Sequence, residues 1–232
     1  MPLSHLTTTQ TKGTVLIAGY SEGLGSALAE KFKSSGYEVV TMARHYPAQE
    51  LVDLTDAQAT AEVFARLDQH HSPIVGVVHN AMQFLRQPFL ETTPEALESV
   101  WRSMVLTAFN ITQQALPRMI AHGGGTLIYS GASGSVRAGP GFAAFSSAKF
   151  ALRGLVQAIS REHDKHGIHA VHVVIDGLIH SQKTTQRFGR DQAEGMIQPH
   201  ELAEQYVALF KQPRSVWTQE LDIRPQSLMD SK

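Results

Sequence analysis

Three glycines near the amino terminus, Gly19, Gly23 and Gly25, have the spacing that most clearly suggests chemistry. They follow an apolar run at 14–18 and precede apolar residues at helical spacing in 24–34. Glycines between a strand and a helix let the backbone approach a diphosphate, which also attracts the free N–H groups of the first helical turn. A simple tight turn is the alternative interpretation. Because the motif lies within ~30 residues of a second strand, a dinucleotide site is favoured.

The elements that would position this loop follow one pattern. Short apolar runs alternate with longer helical patterns, which is typical of a parallel sheet joined by crossover helices. We predict a single doubly wound α/β domain at 13–226, with seven mainly parallel strands, helices on both faces, and polar tails at 1–12 and 227–232. The predicted strands are 14–18, 37–43, 50–52, 74–78, 126–130, 168–175 and 220–223. The predicted helices are 24–34, one beginning at an N-cap Thr55, 94–121 with a kink or break at Pro117, 145–165 and 199–211.

The composition excludes several classes of function. The 232 residues include 20 Lys+Arg and 21 Asp+Glu, so a net charge of −1 indicates no basic surface for nucleic acid. The absence of cysteine excludes disulfides, thiol nucleophiles and thiolate metal sites. No apolar run approaches the ~20 residues that cross a bilayer. The polar first dozen residues do not resemble a secretory signal, so we expect a cytoplasmic protein with no membrane partner.

Twelve histidines raise the question of a metal site. The closest pairs are His163 with His166 and His169 with His172. No His-Glu-x-x-His motif accompanies them, and the second pair is three residues apart on a predicted strand, hence on opposite faces. We predict no metal.

The spacing Gly19-x-x-x-Gly23-x-Gly25 resembles that of the short-chain dehydrogenase/reductase family, and the resemblance extends over residues 14–223. The sequence His79-Asn80-Ala81-Met82 matches the family's Asn-Asn-Ala-Gly after the fourth strand. Several letters differ: Ala18 replaces a threonine, Asp176-Gly177 replaces Pro-Gly, and Ser181 replaces a further threonine. The resemblance implies a Rossmann-type fold and hydride exchange between a nicotinamide dinucleotide and a small-molecule carbonyl or alcohol.

The resemblance also implies which residues contact the cofactor. Arg44 follows Ala43 at the end of the second strand, where no acidic residue opposes a 2′-phosphate, so NADP(H) is preferred and NAD(H) is possible. A solvated loop arginine is the alternative for Arg44. The expected contacts are Gly19, Ser21, Glu22, Gly23, Leu24 and Gly25 with the diphosphate, Arg44 with the 2′-phosphate, Asp53 and Leu54 with the adenine, Asn80 and Ala81 with the adenosine side, Lys149 with the nicotinamide ribose, and Gly177 and Ile179 with the carboxamide.

The family's catalytic Asn-Ser-Tyr-Lys tetrad is incomplete in this sequence. The Tyr-x-x-x-Lys pattern reads Phe145-Ser-Ser-Ala-Lys149, so the proton-donating phenol is absent. The Asn position falls on Met104, and alignment on Gly134 places the Ser position at Gly131. Only Lys149 is retained, and loss of a positioned general acid typically costs ~10²–10⁴-fold in rate.

Other groups near the end of the fifth strand could take over the proton. Tyr129, Ser130, Ser133 and a water held by Lys149 are candidates, and Ser133 is also the best candidate for holding the substrate carbonyl. Each also has an ordinary explanation, because strand tyrosines usually pack against helices and loop serines usually cap backbone groups.

Two functions remain open. The first is an NADP(H)-dependent oxidoreductase with an atypical proton route, which the glycine loop and Lys149 favour. The second is a dinucleotide-binding protein with little or no turnover, acting as a sensor or interaction partner, which the incomplete tetrad favours. The family resemblance further implies a homodimer or homotetramer. The apolar residues Leu152, Leu155 and Ile159 suit either such an interface or the core.

Overall fold

The computed structural model describes residues 11–45, 47–189 and 195–226, which include seven strands and seven α-helices. The strands are β1 (Thr14–Ala18), β2 (Glu38–Ala43), β3 (Glu50–Leu51), β4 (Ile74–His79), β5 (Gly125–Ser130), β6 (Ile168–Ile175) and β7 (Glu220–Ile223). The helices are α1 (Leu24–Ser34), α2 (Ala57–His70), α3 (Pro94–Trp101), α4 (Thr107–Ala121), α5 (Ala143–His163), α6 (Gln182–Phe188) and α7 (Pro199–Phe210).

The strands form one parallel sheet in the order β3-β2-β1-β4-β5-β6-β7. The chain runs outwards from β1 in one direction and, after crossing back, from β4 in the other. The order therefore reverses between β1 and β4, and the predicted doubly wound Rossmann-type domain is confirmed.

Helices cover both faces of the sheet, which explains why its strands are continuously apolar. Successive residues of β1 point to opposite faces, so Leu16 packs in the core beneath α2, α4 and α5, whereas Val15 and Ile17 pack beneath α1 and α7. Leu152 and Ile159 belong to the first of these cores and Leu155 packs against it, so the apolar stripe of α5 serves the interior.

Two expectations about helices were wrong, and one helix was missed. The segment 94–121 is interrupted at Arg102–Leu106 by a π-helical turn and not at Pro117, which lies inside α4. The wider turn directs Met104, Val105 and Thr107 into the interior, a packing demand that helical periodicity does not reveal. Helix α2 begins after Asp56, whose side chain caps Ala59 N, while Thr55 bonds Asp53 instead. Helix α6 was not predicted.

The expected tails, except residues 11 and 12, lie outside the described residues. Within the described chain, no helix combines the length and apolar character needed to span a bilayer.

Candidate functional site

A cleft of about 1610 Å³ opens at the carboxyl edge of the sheet, where the strand order reverses. Loops after β1, β2, β4, β5 and β6 line it, as expected for a ligand site in an open α/β sheet. All predicted site residues except Gly25 contribute to its wall: Gly19, Ser21, Glu22, Gly23, Leu24, Arg44, Asp53, Leu54, Asn80, Ala81, Ser133, Lys149, Gly177 and Ile179.

The glycine loop owes its shape to two left-handed backbone positions. Gly19 has φ +82° and Gly23 has φ +88°. A Cβ on Gly19 would lie 2.3 Å from Ala81 N, so the loops after β1 and β4 touch backbone to backbone. Gly23 caps α1 without a side-chain hydrogen bond, which leaves the first N–H groups of the helix available to an anion.

Gly25 is the exception among the predicted contacts. It is buried in the first turn of α1, and a Cβ there would lie 3.3 Å from the Tyr20 backbone. Its small size serves the packing of the helix on its own loop, and its expected contact with the diphosphate stays a prediction for its backbone N–H.

At the β2 end of the cleft, Arg44 is exposed and Asp53 lies close enough for its carboxylate to respond to the arginine charge. Partial burial acts to raise the pKa of Asp53, but hydrogen bonds from Thr55 and the charges of Arg44 and Arg102 lower it overall. Leu54 is buried beside it. This end of the cleft thus combines an unobstructed guanidinium, a charged carboxylate and an apolar surface.

Lys149 lies on α5 with only 2% of its surface exposed, and its Nζ donates a 2.7 Å hydrogen bond to Ser130 O. No carboxylate lies within ion-pair distance of it among the described residues. Burial without a counter-charge lowers the pKa of Lys149 from 10.5 to about 8. The amine is therefore mainly protonated at neutral pH but gives up its proton readily.

Two buried histidines lie near this ammonium. His79 Nε2 is 2.8 Å from Thr107 Oγ1, and His172 Nδ1 is 3.1 Å from Glu220 Oε2. Burial, and then the charge of Lys149, lower the pKa of His79 to about 3. Burial and the charge of Lys149 also lower the pKa of His172, which falls to about 4 although Glu220 acts to raise it. Both rings are neutral at pH 7, so of these three groups only Lys149 carries a positive charge.

Tyr129 lies between these histidines in the strand register, but it is not a proton donor to the cleft. Its ring is 1% exposed, its hydroxyl is 2.6 Å from Thr112 Oγ1, and burial raises its pKa. The hydroxyl points to α4, below the cleft floor. Tyr129 is therefore excluded as the substitute donor.

The positions expected to carry the tetrad's hydroxyl and amide groups are apolar and tightly packed. Phe145 and Met104 are 7% and 0% exposed and belong to one cluster, against which Phe84 and Phe142 pack. The ring centroid of Phe145 is 5.9 Å from Lys149 Nζ. The π-helical turn places Met104 in this cluster, and such turns often occur at functional sites.

The geometry of the loop after β5 moves the serine position by one residue. A Cβ on Gly131 would lie 2.3 Å from His172 Nε2, so a side chain there would project into the sheet. Ala132 lines the cleft and packs against the cluster that contains Phe145. Gly131 therefore has no room for a side chain that faces the cleft. We infer that Ala132 stands at the serine position, where a methyl group replaces the hydroxyl.

Hydroxyl groups nevertheless remain in the cleft. Ser133 lines it at the start of a short 3₁₀ turn, and Ser146 lines it from α5. Ser130 also lines it, but its Oγ is 2.8 Å from Tyr206 OH and its carbonyl accepts from Lys149. Ser130 therefore holds the lysine, while Ser133 and Ser146 face the space beside it.

Helix α6 and its contacts at the far wall of the cleft were not predicted from the sequence, although Gly177, Ile179 and Ser181 in this wall were named. Ser181 caps the short helix α6. A Cβ added to Gly23 would lie 3.2 Å from the Cβ of Ser181, so α6 begins against the glycine loop. Arg187 on α6 lies 4.5 Å from the ring centroid of Phe84. Asp176 binds Arg137 through both carboxylate oxygens. These contacts join residues far apart in sequence, and the polar composition of 181–197 carries no signal for them.

Comparison with known proteins agrees with this geometry. The family model described as short chain dehydrogenase matches residues 13–192. The chain belongs to this family of oxidoreductases. It is 29% identical over 185 residues to the 3-oxoacyl-[acyl-carrier-protein] reductase MabA of Mycobacterium avium, covering 78% of this chain and 72% of that protein. It is also 29% identical to carbonyl reductase [NADPH] 2 of Sus scrofa, covering 66% of each.

Solved structures give the same result. A short-chain dehydrogenase from Rhodopseudomonas palustris superposes with a TM-score of 0.79 at 29% identity, covering 91% of this chain and 98% of that one. A structure described as ElxO with NADP bound has a TM-score of 0.84 at 18% identity, covering 92% of this chain and 97% of that one, which is a likeness of fold alone.

Among the described residues, no group of three His, Asp or Glu side chains is arranged to hold a metal ion.

Proposed function

We propose that this protein is an NADP(H)-dependent oxidoreductase that exchanges hydride with a carbonyl compound or secondary alcohol. The observation that carries the proposal is the buried ammonium of Lys149 in the wall of the same cleft as the glycine loop. A buried lysine with a lowered pKa in a cleft is a typical feature of a reaction site.

The described residues fit a nicotinamide dinucleotide. Gly19 and Gly23 shape a loop that leaves the N–H groups of Leu24 and Gly25, in the first turn of α1, for a diphosphate, while the N–H groups of Gly19 and Tyr20 bond Met42 O. Lys149 retains N–H groups for ribose hydroxyls. When bound, the nicotinamide supplies or accepts a hydride. Arg44 can pair with the 2′-phosphate of NADP(H), and the residue before it, Ala43, carries no negative charge that would repel this phosphate. NAD(H) remains compatible with the site. The relative named carbonyl reductase [NADPH] 2 supports this preference.

Lys149 is our proposed proton donor in place of the missing phenol. Its ammonium is mainly charged at pH 7, and its pKa of about 8 makes it a stronger acid than an ordinary lysine. Ser133 is our proposed partner for the substrate oxygen. Since the protonated amine is the active form in carbonyl reduction, the rate of reduction falls as the pH rises through the pKa that Lys149 has in the complex with NADPH.

A second function is supported by the apolar cluster. Phe145, Met104 and Ala132 replace polar groups with a packed surface, which suits a dinucleotide-binding sensor or interaction partner without turnover. Both functions predict binding of NADPH, and they differ only in hydride transfer.

Stopped-flow measurement of NADPH oxidation against ketones, aldehydes and quinones separates the two functions. We expect turnover in the native protein, loss of at least 100-fold in Lys149→Met, and native rates in the control Lys165→Met, whose exposed side chain lies outside the cleft. Calorimetry with NADPH accompanies each variant. Tight binding without oxidation of NADPH by any acceptor would establish the second function.

We also propose that the chain assembles with copies of itself as a homodimer or homotetramer. Trp101, Phe109 and Phe150, on the helices α3, α4 and α5, are each about 40% exposed, and burying this apolar surface against a second copy of the chain is favourable. Sedimentation velocity tests this: Phe109→Glu should shift the sedimentation coefficient towards that of the monomer.

A further inference from the structure

Three phenylalanine rings form an aromatic wall at the end of the cleft beside Lys149. Phe84, Phe142 and Phe145 all line the cleft, with ring centroids 5.8 Å apart for Phe84 and Phe142 and 5.5 Å apart for Phe84 and Phe145. Phe84 and Phe142 are only partly buried, so part of each ring faces the cleft. Aromatic rings of this kind bind flat, unsaturated ligands by stacked or edge-to-face contacts.

Where the wall approaches Lys149, few side-chain hydrogen-bond donors remain. Phe145, Met104 and Ala132 offer none, and the donors beside them are the Lys149 ammonium and the hydroxyls of Ser133 and Ser146. The Arg187 guanidinium, 4.5 Å from the ring centroid of Phe84, is a further donor at the Phe84 end of the wall. Reduction of a simple ketone produces a strongly basic alkoxide, which needs a close proton donor in the transition state. Reduction of a conjugated diketone produces an anion whose charge is spread over a ring, and this anion needs far less help.

The aromatic rings and the small number of hydrogen-bond donors both favour flat, conjugated carbonyl compounds as ligands. This inference rests on the proposed function. We propose that the substrates are planar, conjugated carbonyl compounds of the quinone class, bound against the aromatic wall. The quinone is reduced by two electrons as a hydride leaves the C4–H bond of a reduced nicotinamide and a new bond to hydrogen forms on the acceptor. The resulting hydroquinone anion takes one proton from Lys149, which solvent replaces.

A matched pair of acceptors tests the chemical selectivity. 1,4-Naphthoquinone and 1-tetralone share a bicyclic carbon skeleton, but only the first is fully conjugated and reduced to a delocalised anion. We expect kcat/KM for the quinone to exceed that for the ketone by at least 100-fold, after subtraction of the reaction without protein. A smaller ratio overturns the proposal. The chain contains no cysteine, so thiol arylation by the quinone does not interfere.

Binding is measured separately from turnover, in the complex with NADP⁺, where no hydride is available. Calorimetric titration with 1,4-naphthoquinone should give a Kd that Phe142→Ala raises by about 5- to 10-fold. The control is Phe89→Ala, which removes a ring that is 74% exposed and outside the cleft and should leave Kd unchanged. Equal Kd values in the native protein and Phe142→Ala overturn the proposal.

The two experiments distinguish failure of the inference from failure of the proposed function. If NADPH is oxidised by both acceptors at similar rates, the protein is an oxidoreductase of other substrates and the inference is wrong. If NADPH binds but is never oxidised, the proposed function fails. The binding titration still decides whether the aromatic wall recognises quinones.

Discussion

Replacing Lys149 by methionine should stabilise the protein while abolishing its activity. The buried ammonium has a pKa of about 8, against 10.5 for an ordinary lysine. Each pKa unit corresponds to roughly 1.4 kcal/mol, so keeping the charge in this wall costs the folded state about 3 kcal/mol. Lys149→Met removes the charge, fills similar volume and continues the neighbouring apolar cluster.

The sign of the pH dependence follows from the lowered pKa. Between about pH 8 and 10.5 the unfolded chain holds a proton that the folded chain has released, so the stability of the native protein rises with pH in this window. Below pH 8 the whole cost is present. The stability advantage of Lys149→Met should therefore be largest at pH 7 and should fall by about 2 to 3 kcal/mol by pH 10.

Urea denaturation of both proteins without ligand, at pH 7, 8, 9 and 10, measures this difference. Subtracting the two free energies of unfolding at each pH cancels the titration of other groups, which both proteins share. A difference that stays constant from pH 7 to 10 would show that Lys149 titrates normally, and our account of its acidity would then be wrong.

Three further predictions concern the cleft. Arg44→Gln should raise the Kd for NADPH by about 10- to 100-fold in calorimetry, the loss expected for a hydrogen bond to a charged phosphate, and leave that for NADH unchanged. Gly19→Ala should lower the free energy of unfolding by at least about 2 kcal/mol, because residue 19 has φ +82° and an added Cβ would lie 2.3 Å from Ala81 N. The control is Gly154→Ala on α5, where an added Cβ meets open space. This control should raise the free energy of unfolding by up to about 1 kcal/mol. Gly131→Ser should destabilise the protein, because its side chain would collide with His172. Ala132→Ser should fold normally and reduce simple ketones faster than the native protein. The reverse result would place the family's serine position at residue 131.

The fold could be predicted from the sequence because its main determinants are local. Continuous apolar strands separated by helical patterns imply a parallel sheet covered on both faces, and the glycine spacing after the first strand marks where the chain turns at the cleft. Arg44, Asp53 and Lys149 could be assigned to the cleft because the family resemblance ties each to a recognisable element of the sequence.

The rest of the site depends on tertiary packing. The π-helical turn at Arg102–Leu106 widens a helix to suit its neighbours, and nothing in its own sequence marks it. The direction in which residue 131 faces could not be predicted, because only its close contact with His172 shows it. The aromatic wall joins Phe84 to Phe142 and Phe145, some sixty residues apart in sequence, and no local pattern predicts such a contact.

The state of Lys149 links stability to ligand binding. An ammonium has three N–H groups, and one of them is used on Ser130 O in the described structure. The other two suit ribose hydroxyls or a substrate oxygen, so a bound dinucleotide should favour the charged form and raise the pKa of Lys149. It follows that NADPH should increase the melting temperature more at pH 7 than at pH 10, and that Lys149→Met should remove this difference. Equal increases at both pH values would mean that the ligand does not reach the ammonium.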